Sequence, residues 1–246
     1  MLLSVLCGLL FSVSIAENIA EVLRRIDQAA RRAGRDPKEV QLIAVTKTQP
    51  ADRIREAYQA GLRLFGENRV QEHAEKSDAL SDLLDAEWHM IGHLQTNKAP
   101  LAAELFRAVD SVDSVRLARK LNAAAMELTK KLPILIEVNV GGEAAKSGLA
   151  PGSAALQEFL ELAPELPHLE IHGLMTVPPY AEEPETARPY FRMLRELRDN
   201  ISARRLPAIK MDTLSMGMSH DFGVAIEEGS TCVRVGTAIF GERSMR

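Results

Sequence analysis

The chain has 246 residues, 46% of them hydrophobic and 26% charged, with a formal net charge of −4. That length can bury a sizeable core in one large domain without disulfide or metal staples. The acidic balance is not that of a nucleic-acid binder, which carries clustered Lys and Arg. Only two cysteines occur, Cys7 and Cys232, far apart and without metal-ligand spacing. Neither a metal site nor a disulfide framework is expected, and a cytoplasmic location is the simpler one.

Residues 1–16, MLLSVLCGLLFSVSIA, form an uncharged apolar run. It is shorter than the roughly 20 apolar residues that cross a bilayer, so no membrane span is expected. It partly resembles a signal peptide but lacks the usual positively charged start. The favoured reading is a gene-model artefact, with translation beginning later, for example at Val13, and the domain over 17–246.

From Glu17 to Gly34, apolar residues at Ile19, Val22, Leu23, Ile26 and Ala29 have the spacing of an amphipathic helix, and Gly34 supplies a stop. Val40–Val45 is a β-branched apolar run of the kind buried on both faces in a parallel sheet. Further strands are predicted at Leu62–Gly66, Glu87–Gly92, Ala108–Val112, Ile134–Val140, Glu170–Thr176, Thr213–Met216 and Cys232–Phe240. Helices are predicted between them at Ala51–Ala60, Val70–Leu83, Thr96–Leu105, Ser114–Lys130, Ala154–Ala163, Pro184–Ser202 and Phe222–Glu228. Strands alternating with helices imply a parallel sheet, and eight such units with a leading helix fit a single (β/α)8 barrel better than an open sheet. No linker or low-complexity tract divides the chain.

In such barrels, functional residues sit where strands end and βα loops begin. Polar residues gather there: Thr46-Lys47-Thr48, Glu67-Asn68, His89 and His93, Asn139, Met175-Thr176, Ser215–Ser219 and Arg234–Thr237. Lys47 directly follows a buried strand, where desolvation would lower its pKa and suit it as a Schiff-base amine. Taken alone, a strand-end lysine that snorkels to solvent is the plainer reading. The turns Ser215–Ser219 and Val235-Gly236-Thr237 end the last two strands, the usual phosphate-binding corner of this fold. A helix starting near Phe222 would add to such a site if its N-terminus points inward. Glycines merely closing tight turns are the alternative. A strand-end lysine together with both turns fits a phosphate-bearing aldehyde cofactor. Arg234 stands in an apolar strand and needs an acceptor, either in an internal salt bridge or at a pyridine nitrogen. An arginine there would leave a pyridine unprotonated and a poorer electron sink.

The segments Leu42–Pro50, Phe65–Glu72, Trp88–Lys98, Asn139-Val140, Lys146-Ser147-Gly148, His172–Thr176, Leu214–Asp221 and Val233–Gly241 follow one another in the order of a known family. The chain resembles the pyridoxal 5′-phosphate homeostasis proteins, whose barrel is that of the alanine racemase N-terminal domain. The resemblance covers about residues 17–243 and is most specific in WHMIGHLQTNK and SMGMSHD. It implies that Lys47 carries the internal aldimine of pyridoxal phosphate, with Ser219, Gly236 and Thr237 at the phosphate. Arg234 would face the pyridine nitrogen, and Asn68 would lie beside the cofactor. His89, His93, Gln95, Asn97 and Lys98 belong to the signature without assigned roles, His89 being equally readable as a core histidine. Met175, Met216 and Met218 are expected to pack, and Lys146 either meets free cofactor or is an ordinary loop lysine. The C-terminus lacks the paired lysines of some members.

Two functions follow from that resemblance. One is a non-catalytic carrier that supplies pyridoxal phosphate to apo-enzymes. The other is a pyridoxal-phosphate-dependent amino-acid racemase, which needs an acid/base group on each face of the α-carbon. In alanine racemase a tyrosine from a second subunit is one of them, and a C-terminal domain helps to form the dimer. Here Tyr58 and Tyr190 fall in predicted helices, Tyr180 follows Pro178-Pro179, and the chain ends about where its barrel ends. A monomeric carrier, not an enzyme, is therefore the expectation.

Overall fold

The computed structural model describes residues 14–143 and 146–242. Most of the expected N-terminal extension, residues 1–13, lies outside the described residues. Its last three residues belong to the fold, because the first helix, α1 (Ile15–Arg32), starts two positions before the sequence pattern suggests. Ser14 sets that start through a capping box. Its hydroxyl accepts from the Glu17 amide at 3.2 Å, and its own amide donates to Glu17 Oε2 at 2.8 Å. The face made by Ile15, Ile19, Val22, Ile26, Ala29 and Ala30 is buried. Gly34, with φ +68°, ends the helix in the left-handed conformation that glycine tolerates.

Eight parallel strands follow: β1 (Gln41–Val45), β2 (Leu64–Glu67), β3 (Glu87–Met90), β4 (Ala108–Val112), β5 (Leu132–Glu137), β6 (Leu169–Met175), β7 (Ile209–Met218) and β8 (Cys232–Val235). They pair in sequence order, and β8 pairs with β1 to close the barrel. The helices between and after them are α2 (Ala51–Gln59), α3 (Val70–Ser77), α4 (Ala99–Leu105), α5 (Val115–Glu127), α6 (Ala154–Leu162), α7 (Arg188–Ala203), α8 (Phe222–Glu227) and α9 (Thr237–Phe240). The single (β/α)8 barrel with a leading helix is the architecture found.

Several boundaries differ from the sequence pattern, three of them as follows. Leu62 is not in β2, because its amide still closes the end of α2 by donating to Ala57 O at 3.2 Å. The helix expected to reach Leu83 stops at Ser77 and continues as a short 3-10 turn, 78–80. The strand expected to run to Phe240 ends at Val235. Gly236 breaks it, and its carbonyl accepts from the amides of Ile239 and Phe240 at 2.9 Å each to start α9. Ile239 and Phe240 are buried, in one cluster with the apolar face of α1, so their hydrophobicity served a helix rather than a strand. Among the described residues no helix is long and apolar enough to cross a membrane.

Candidate functional site

Lys47 is the first residue of the turn after β1, half-buried, between buried Thr46 and exposed Thr48. The register places it. Ala44 and Val45 pair with Phe65 and Gly66 of β2, and Ala44 pairs with Val235 of β8. The Lys47 turn therefore leaves the barrel between the ends of β2 and β8, which carry Asn68 on one side and Gly236-Thr237 on the other. Gly236 packs so closely on β1 that a Cβ there would lie 3.3 Å from Val45 O. Asn68 is half-buried and its backbone lies against Gly92, where a Cβ would approach Asn68 O to 2.4 Å.

The β7–β8 pairing brings the two glycine-containing turns together. Ser219 Oγ accepts hydrogen bonds from the amides of Gly236 and Ala238, each at 3.3 Å. Two backbone donors thus converge on one oxygen, the arrangement that also holds a phosphate oxygen. The helix behind these amides is α9, which the sequence pattern did not predict. The helix expected to help, α8, does start at Phe222, preceded by Asp221, whose Oδ1 accepts from the Met218 amide at 2.7 Å.

Arg234 is buried in β8, pointing one guanidinium nitrogen at Ser215 Oγ (2.7 Å) and another at Thr176 O (2.8 Å). Among the described residues it forms no salt bridge, so the internal ion pair left open by the sequence is not made. Burial pulls its pKa down, while Cys232, Asp110, Glu137 and Asp221 nearby favour the charge. The guanidinium stays protonated and has further N–H groups to offer.

Two buried carboxylates near the mouth went unnoticed in the sequence or were noted only in passing. Glu137 ends β5, and its Oε2 has no hydrogen-bond partner among the described residues. Burial and then the neighbouring Asp113 push its pKa up to about 7, against the pull of Arg234 and His93. Glu67 ends β2 fully buried, 2.6 Å from Lys76 Nζ, and burial raises its pKa despite that lysine. A charged residue inside an apolar strand is the anomaly that singled out Arg234, and it would have found Glu137 as well.

The remaining signature residues separate. His93 lies at the mouth, with Nδ1 3.0 Å from Asp113 Oδ2 and 3.0 Å from Ser147 Oγ. With Asn68, Arg69, Gln95 and Lys98 it lines a cavity of about 290 Å³, which Asn97 does not join. His89 does not belong with the mouth. It pairs with Asp110 (3.0 Å) and, with Gln41, His172 and Cys232, lines a cavity of about 110 Å³ at the opposite, N-terminal end of the strands. Lys146 is tied to its own loop by Glu143 (2.8 Å) and to Pro178 O (3.3 Å). Met175 and Met216 are fully buried and Met218 half-buried, as packing groups should be. Tyr58 and Tyr190 lie on α2 and α7, whereas Tyr180 is 82% exposed, its ring 6.0 Å from that of His220. Larger depressions of about 460 and 550 Å³ lie elsewhere, and none of the six expected cofactor residues lines them.

A closed parallel barrel with a strand-end lysine and an amide cradle at its last two strands defines a recognisable class. Residues 17–244 match the family described as alanine racemase, N-terminal domain. A pyridoxal phosphate homeostasis protein of Aquifex aeolicus is 48% identical, over 94% of this chain and 99% of its own. That of Pseudomonas aeruginosa is 46% identical, over 94% and 96%. Among solved structures, PipY of Synechococcus elongatus PCC7942 with PLP bound superposes with a TM-score of 0.81 at 39% identity, covering 93% of this chain and all (100%) of that one. Alanine racemase from Streptomyces coelicolor A3(2) shares the fold at 17% identity and a TM-score of 0.69, over 93% of this chain but 59% of the racemase. The chain belongs to the pyridoxal phosphate homeostasis protein family.

Proposed function

We propose that this protein binds pyridoxal 5′-phosphate at the barrel mouth through Lys47 and supplies it to apo-enzymes, without catalysing a reaction of its own. The observation that carries this reading is the β1–β8–β7 register, which sets the Lys47 turn beside the Gly236 and Ala238 amides, with Arg234 below them. When bound, the cofactor would supply an aldehyde reactive towards a primary amine, and a phosphate dianion. Lys47 provides the amine. Ser219, Thr237 and the amides of Gly236 and Ala238 take the phosphate. Arg234 donates to the pyridine nitrogen without protonating it, which suits a protein that stores the cofactor rather than using it as an electron sink. Asn68 borders the ring.

The test is absorbance with and without borohydride. Wild-type protein loaded with the cofactor is expected to show a visible band that borohydride abolishes, leaving a mass increase on the peptide containing Lys47. The Lys47→Ala variant should keep its circular-dichroism spectrum and lose the adduct. An unmodified Lys47 after reduction would sink the reading.

The absence of a catalytic role is supported by Tyr58 and Tyr190, which lie on the helices α2 and α7 rather than at the strand ends. The loaded protein should therefore leave L-alanine and L-serine unlabelled at the α-carbon in deuterated water. Labelling that disappears in Lys47→Ala would establish the racemase instead. A monomer in the cytoplasm completes the reading. Cys232 is buried and its thiol pKa is pushed up to about 12 by burial and by Asp110, which leaves it unreactive.

A further inference from the structure

Behind the turn that carries Lys47 lies a charged cluster with no part in the cofactor contacts above. Glu67 accepts a hydrogen bond from Thr46 Oγ1. The ammonium of Lys76, on α3, lies 2.6 Å from Glu67 Oε1, 3.2 Å from Glu72 Oε1 and 3.1 Å from the carbonyl oxygen of Thr46. Glu72 Oε1 in turn accepts from the amide of Thr48. An ammonium has three donors, and here two carboxylates and the carbonyl preceding Lys47 engage them.

Both chain neighbours of Lys47 are therefore gripped by the same group of side chains. Thr46 is held by its hydroxyl and its carbonyl, and Thr48 by its amide. Thr48 has φ +63°, a left-handed conformation that a β-branched residue keeps only where its surroundings impose it. Neutralising the buried Glu67 would require nothing more than the Lys76–Glu67 contact. The additional bonds to Thr46 O and through Glu72 to Thr48 act on the turn itself.

We propose that Lys76 is a positioning residue for Lys47: with Glu67 and Glu72 it fixes the direction in which the Lys47 side chain leaves β1. This rests on Lys47 being the amine that holds the cofactor.

Lys76→Met alone would leave Glu67 as an uncompensated buried charge and destabilise the fold. The informative protein is the full chain carrying E67Q and K76M together, which removes both charges at nearly constant volume. Loaded with pyridoxal phosphate, it is expected to release the cofactor about 10-fold faster than wild type, since charge-assisted bonds to the turn are lost. Its visible band should also be displaced from the wild-type position, a signature that general loosening at a distance would not produce. E72Q, at a partly exposed carboxylate, should change release in the same direction by about 3-fold. A wild-type band and release rate in folded E67Q/K76M overturns the proposal, and so does the same result in E72Q if the double variant does not fold. The K47A protein separates the two ideas: an adduct that survives in K47A removes Lys47 as the amine, whatever Lys76 does.

Discussion

At Ser219 the donors of the proposed phosphate site are already assembled. Its hydroxyl rests on the amides of Gly236 and Ala238, so the donors already point inward. Ser219→Ala should weaken cofactor retention by about 1.5–3 kcal/mol, the range for a hydrogen bond to a charged group. Thr237 is exposed, so Thr237→Val should fall at or below the lower end of that range because solvent screens its contact. Equilibrium dialysis would measure both, and melting temperatures should remain within a few degrees of wild type. Arg234 stood out in the sequence because a cation interrupting an apolar strand needs a partner, whereas Lys47 alone read as an ordinary strand-end lysine and drew attention only together with the turns at Ser219 and Gly236. Lys76 did not stand out, because a lysine on an amphipathic helix normally faces water, and only the tertiary packing reveals that this one turns inward to β1 and β2.

At the scale of elements, α3 joins the barrel through a buried histidine. His73 packs its ring 4.5 Å from that of Trp88 and 4.9 Å from that of Phe106. Its Nδ1 has no hydrogen-bond partner among the described residues. Burial, and then the charge of Lys76, lower its pKa from 6.5 to about 4. Between these values the unfolded chain binds a proton that the folded chain refuses, so stability falls as pH drops from 6.5 towards 4. The full loss is about 3 kcal/mol, from 2.5 pH units at about 1.36 kcal/mol each. His73→Phe should remove this component, and urea midpoints at pH 7 and pH 4.5 would show whether the variant's difference is smaller than that of wild type. Most elements could be read from periodicity, since helix faces repeat at three and four residues and barrel strands are short apolar runs. The last strand misled for the same reason: Ala238-Ile239-Phe240 is apolar in either state, and only the hydrogen bonds at Gly236 decide for α9.

For the molecule as a whole, the alternation of strands and helices identified the barrel, but its closure depends on contacts invisible in a linear pattern. Gly173 in β6 is one of them. A Cβ there would stand 1.9 Å from Thr213 O of β7, beside an irregularity in the β6–β7 register. Gly173→Ala should push the two strands apart and cost about 3 kcal/mol, an overpacking penalty against backbone that cannot yield. A lowered urea midpoint with unchanged cofactor stoichiometry in the folded fraction would verify this, whereas wild-type stability would contradict it.

Because β8 returns to β1, every strand of the barrel has a neighbour on both sides. In the proposed carrier role the protein would spend part of each cycle with nothing to carry, and a sheet with a raw margin would then invite another chain to add itself. Closure removes that invitation whether or not a passenger is aboard. The seams that guard the idle protein against sticking to its own kind are thus the same ones that set the Lys47 turn beside the amides of Gly236 and Ala238.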